Sequence, residues 1–155
     1  MNWKTAIGKP MNAFGLVLVG VGALGMAVAP AQADDEVHSL GASLFGEYEV
    51  DHEGAGKDAG GDFTGEIDMG RGTLCYYLEV YGLDEVTAAH IHKGKDGENG
   101  PPVVVLEFEG ADRDEVCLEV EAELLADMAR HEERYYVNVH TAAYPAGAIR
   151  GQLGS

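Results

Sequence analysis

Residues 135–153 read YYVNVHTAAYPAGAIRGQL, and both ends of this stretch alternate in the manner of β-strands. Side chains two residues apart on a strand point the same way. Val137 and Val139 therefore share one face of the first strand, and Tyr136, Asn138 and His140 share the other. In the second strand, Ile149 and Leu153 share a face, with Arg150 and Gln152 opposite. The apolar faces are expected to pack on a core, which leaves the polar set on an outer side.

The same period recurs upstream. Leu40, Ala42, Leu44, Gly46, Tyr48 and Val50 are expected on one face of a first strand. Phe63 to Met69, Leu74 to Val80 and Val86 to His92 read as three more, and Val103 to Phe108 and Val116 to Val120 are β-branched runs. The stretches DHEGAGKDAGG (51–61) and KGKDGENGPP (93–102) are too rich in glycine, proline and charge to be anything but loops. One helix is expected over residues 121–131, with acidic residues in its first turn where the helix dipole favours them. Many short strands with a single helix predict an all-β fold, an antiparallel β-sandwich or Greek-key barrel. The crossover helices of a parallel α/β sheet are missing.

Chemistry concentrates on the polar faces. His90 and His92 share a strand face, Ile91 points the other way, and His140 lies on the polar face of its own strand. Imidazoles two apart on a strand can lean onto one ion. If the strand of His140 is a neighbour, it supplies a third nitrogen. Neutral imidazole suits copper, zinc, iron or nickel, and three histidines with an open position could serve storage or catalysis. The alternative is that the three rings only bond loops and hold the sheet together. No serine has the flanking glycines of a nucleophile elbow, and His131-Glu132-Glu133 lacks the second histidine of a zinc-protease helix.

The N-terminus carries Lys4 and Lys9, an apolar run from Phe14 to Ala29, then Pro30 and Ala31-Gln32-Ala33. This is the order of a secretory leader with a small-residue cleavage site, so residues 1–33 are expected to be a signal peptide and 34–155 the mature domain. Cleavage leaves eight basic residues against 27 acidic, a net charge of −19 on 122 residues. Such a surface repels phosphate backbones and anionic membranes, so neither nucleic acid nor, after cleavage, a membrane is an expected partner. Cys75 and Cys117 are the only cysteines. In an oxidising compartment they are expected to form a disulfide.

Three segments together resemble the CHRD (chordin-type) family. Thr87 to Leu106 (TAAHIHKGKDGENGPPVVVL) is similar to that family's histidine-rich block. Tyr135 to Leu153 is similar to its ending, and Leu40 to Val50 to its opening. Two departures stand out. Asp51-His52 follows Glu49-Val50 where members commonly have two prolines, and two prolines, Pro101 and Pro102, follow Gly100 where one is usual. The resemblance implies a single exported β-sandwich domain, secreted or periplasmic, and carries no assigned activity with it.

Residues and resemblance together give an exported, non-enzymatic domain that binds a copper or zinc ion. His90, His92 and His140 are the expected ligands, with Asn138 and Arg150 as the outer groups that orient them or an anion. Two alternatives stand beside it. One is an extracellular or envelope module that binds another protein, with structural histidines. The other is a copper redox enzyme like superoxide dismutase, another β-sandwich with a His-x-His strand pair.

Overall fold

The computed structural model describes residues 37–108 and 114–155. The expected leader lies outside the described residues. Among the described residues eight strands form: β1 (Val37–Phe45), β2 (Gly60–Asp68), β3 (Thr73–Tyr81), β4 (Val86–Lys93), β5 (Pro102–Leu106), β6 (Val116–Glu119), β7 (Tyr135–Thr141) and β8 (Ile149–Gln152). One α-helix, α1 (Ala122–Arg130), stands between β6 and β7. The fold is all-β, as the alternation predicts, and every strand pairing is antiparallel.

The strand order is β5-β4-β7-β8-β1-β2-β3-β6. The two central halves meet through a single register pair, Phe45 opposite Arg150, helped by a bridge between Gly41 and Gly154. The sheet therefore turns a corner between two four-stranded halves, which is how one curled sheet makes a sandwich-like body. Leu40 and Leu44 of β1, Phe63 and Ile67 of β2 and Leu74 of β3 come from one half. Ile91 of β4, Val137 and Val139 of β7 and Ile149 of β8 come from the other, and all join one core. Leu125 and Met128 of α1 complete it, each fully buried. Burying a side chain of this size contributes about 1.5–3 kcal/mol relative to leaving it exposed.

The first strand departs from its expected course. Alternation holds to Leu44, but Gly46–Tyr48 forms a turn of 3₁₀-helix. Three residues of tight helix shift the phase of the pattern. Tyr48, expected on the core face, is 54% exposed, and Glu49 turns inward instead.

Cys75 and Cys117 are bonded to each other, directly opposite in the β3–β6 register with Cα atoms 4.0 Å apart. The bridge fastens edge strand β6 to the sheet. Among the described residues, no helix is long and apolar enough to cross a membrane.

Candidate metal centre

The adjacency that a three-histidine site requires is present: β4 pairs with β7, and β7 with β8. His90 lies opposite Asn138, and Asn138 opposite Arg150, in one row across three strands. His92 lies opposite Tyr136, and His140 opposite Ala88. Ile91, Val137, Val139 and Ile149 fill the core on the other face with no exposure. The face assignment from the period of two therefore holds for all three strands.

The three imidazoles cluster. Ring centroids are 5.5 Å apart for His90 and His92, 5.1 Å for His90 and His140, and 6.0 Å for His92 and His140. One ring nitrogen from each lies within 4.8 Å of the other two. The polar face is less open than an outer sheet surface would be. Loops cover it, so that His92 is 9%, Asn138 3% and Arg150 2% exposed.

Backbone carbonyls set the tautomers. His92 Nδ1 is 2.9 Å from Gly100 O, and His140 Nδ1 is 3.2 Å from Pro145 O. A carbonyl can only accept, so each Nδ1 carries the hydrogen and each Nε2 keeps its lone pair. Both Nε2 atoms are buried without a hydrogen-bond partner among the described residues, and so is His90 Nδ1. Burial also holds the pKa of all three rings below the ordinary histidine value, because desolvation disfavours the imidazolium. Mutual repulsion adds to this at His92 and His140. At neutral pH the cluster is three neutral rings, the form that binds metal.

The loop between β4 and β5 supplies the Gly100 carbonyl and is itself held from three sides. Gly100 N donates to Tyr136 Oη at 3.1 Å. Gln152 Nε2 donates to Gly94 O at 3.0 Å. Arg150 donates to Lys95 O, Glu98 O and Asn99 Oδ1 at 3.2, 2.8 and 3.3 Å. Only glycine fits at position 100, since a Cβ there would lie 1.7 Å from Lys93 O.

Of the two outer groups expected from sequence, Arg150 reaches His92 through this loop and through Tyr136. Asn138 is directed elsewhere: its Nδ2 donates to Glu49 Oε2 at 3.4 Å. Glu49 is the residue that the sequence reading passed over. Its side chain is 1% exposed, with His52 Nε2 3.7 Å from Oε2. Oε1 is buried without a partner among the described residues. Burial raises its pKa from the ordinary 4.5 to about 7, against the lowering effects of Arg150 and the Asn138 hydrogen bond. The sequence signal was the Glu49 of the family-like opening segment, which the simple alternation assigned to the solvent face.

Compared with known families, residues 40–153 match the CHRD domain, and the chain belongs to that family. No curated protein and no solved structure matches it.

Proposed function

We propose that this CHRD domain works in an oxidising, extracytoplasmic compartment and binds a copper or zinc ion through His90, His92 and His140. The observation that carries the reading is the set of buried, partnerless imidazole nitrogens, one on each ring. Buried polar atoms nearly always have partners, and those that lack them call for an explanation. Histidines kept only to bond loops would use their nitrogens on the protein. Here each of two rings spends one nitrogen on a carbonyl and leaves the other free, which is the arrangement of a metal-binding histidine and its outer partner. The Cys75–Cys117 disulfide supports the compartment.

The test is titration of the metal-free protein with Cu(I), Cu(II) and Zn²⁺, alongside His140→Ala. Replacing a ligand should weaken binding by more than the roughly 10–100-fold that loss of an outer partner costs. Stability should fall only by the worth of one hydrogen bond, about 1 kcal/mol. A variant that loses much stability while wild type and variant bind metal equally poorly would assign the rings a structural role. Superoxide turnover by the copper-loaded protein would favour the redox enzyme.

A further inference from the structure

We infer that Glu49 is the charge-compensating group of the histidine chamber: its buried carboxyl holds a proton in the metal-free protein and releases it to solvent when a divalent cation binds the three imidazoles. The inference rests on the metal-binding reading and adds the group that links that binding to protons.

The geometry ties a buried carboxyl to the histidine row through one side chain. Among the described residues Glu49 is the only buried carboxylic acid. Asn138, which bonds it, is the cross-strand neighbour of His90 and lies two residues before His140 on the same face. A single side chain thus joins the carboxyl to the row of the imidazoles. Gly147 lies close to both Glu49 and Asn138. At φ +148 and with no side chain, Gly147 leaves room that a Cβ would fill, 2.5 Å from both Glu49 oxygens and 2.7 Å from Asn138 Nδ2.

The chemistry follows from charge. Three neutral imidazoles leave a dication with its full charge in a partly dry site, and an uncompensated buried charge is costly. Without the ion, a carboxylate in the same place would itself be poorly compensated. The groups facing it are Asn138 from β7, Arg150 from β8, and His52 just beyond it in the chain. Arg150 directs three hydrogen bonds to the loop carbonyls and Asn99, and none to Glu49 is among them. His52 Nδ1 accepts from Gly54 N at 3.1 Å, so its Nε2 carries the hydrogen that points at Glu49. Burial outweighs these groups, and the proton stays on below neutrality. A dication shifts that balance: the carboxylic acid becomes a carboxylate, the proton passes to solvent, Asn138 Nδ2 is in place to bond the anion, and the His52 Nε2–H stands 3.7 Å from it.

The test is calorimetric titration of the full protein with Zn²⁺ at about pH 6, below the point where Glu49 titrates, in two buffers of different ionisation enthalpy. Wild type should release about one more proton per ion than Glu49→Gln. The imidazoles contribute equally to both proteins, so the difference isolates Glu49. The Glu49 side-chain carbonyl ¹³C shift in wild type gives a second reading that needs no variant. It should report the acid without zinc and the carboxylate with it. Equal proton release from the two proteins, or an unchanged Glu49 shift on zinc binding, would overturn the inference and leave the metal site standing. No zinc uptake by wild type would overturn the metal reading itself and this inference with it.

Discussion

The guanidinium of Arg150 lies 3.5 Å from the centre of the Tyr136 ring, and that ring lies against the His92 imidazole, with centroids 4.9 Å apart and planes 14° from parallel. A permanent cation, a phenol and a candidate metal ligand therefore form one stack. The same guanidinium holds the loop whose Gly100 carbonyl fixes the His92 tautomer. The orientation of His92 is thus set twice from one residue, once through a ring and once through a loop.

Arg150→Lys keeps the charge but loses the planar fork and the stack. Hydrogen bonds to a charged group contribute about 1.5–3 kcal/mol each, and the variant leaves several carbonyls short of a donor. Urea unfolding should show a loss on the order of 2–4 kcal/mol. Zinc affinity, read by competition with a chromophoric chelator, should fall roughly 10–100-fold. An unchanged affinity in a destabilised variant would separate the loop from the site.

Cys117→Ser tests the fastening of β6. Among the described residues that strand pairs only with β3, and the bridge closes a sequence separation of 42 residues. A loop of that size contributes about 4 kcal/mol on the chain-entropy account, and removing a native bridge costs roughly 2–5 kcal/mol. The variant should unfold at lower denaturant, and intact wild type should show no reactive thiol before reduction. A free thiol in the unreduced protein would contradict the bridge.

Alternation and the two β-branched runs together located the strands, and the period of two gave the faces of β4, β7 and β8 on which the three histidines meet. It failed at Glu49 for a local reason. A 3₁₀ turn over Gly46–Tyr48 breaks the strand, and a phase change of this kind moves a side chain to the opposite face. The single corner pair Phe45–Arg150 was also invisible, since it depends on how two strands distant in sequence meet. So were the carbonyls of Gly100 and Pro145, because any residue offers a carbonyl and only the folded loop decides where it points.

Salt should stabilise this protein. The full chain carries a net charge of −17, and its few cations cannot pair so many carboxylates. Self-repulsion opposes the compact state, and screening shortens its reach from about 30 Å at 0.01 M ionic strength to about 3 Å at 1 M. The melting temperature should rise across that range with sodium chloride. A flat or falling curve would mean that the carboxylates are too widely spread to repel.

Glu49 also gives metal-free stability a pH signature. Its folded pKa, about 7, lies above the ordinary 4.5. Below the lower value both folded and unfolded chains hold the proton, and Glu49 contributes no slope. Between the two values the folded state keeps a proton that the unfolded chain has released, so stability falls as pH rises. Above the upper value the loss is complete, on the order of 3 kcal/mol. The three histidines act in the opposite sense: their lowered pKa values make stability rise with pH as the unfolded chain gives up its imidazolium protons. Wild type alone shows only the balance of the two. The readout is the difference between wild type and Glu49→Gln, from urea midpoints at pH values between about 4.5 and 8. Glutamine cannot ionise, so the variant should match wild type at the acid end and become the more stable protein as pH rises through neutrality. Saturating zinc should shrink that advantage, because the ion gives the carboxylate its counter-charge. A difference curve that is flat from acid to neutral pH would show that the folded and unfolded chains hold the Glu49 proton alike.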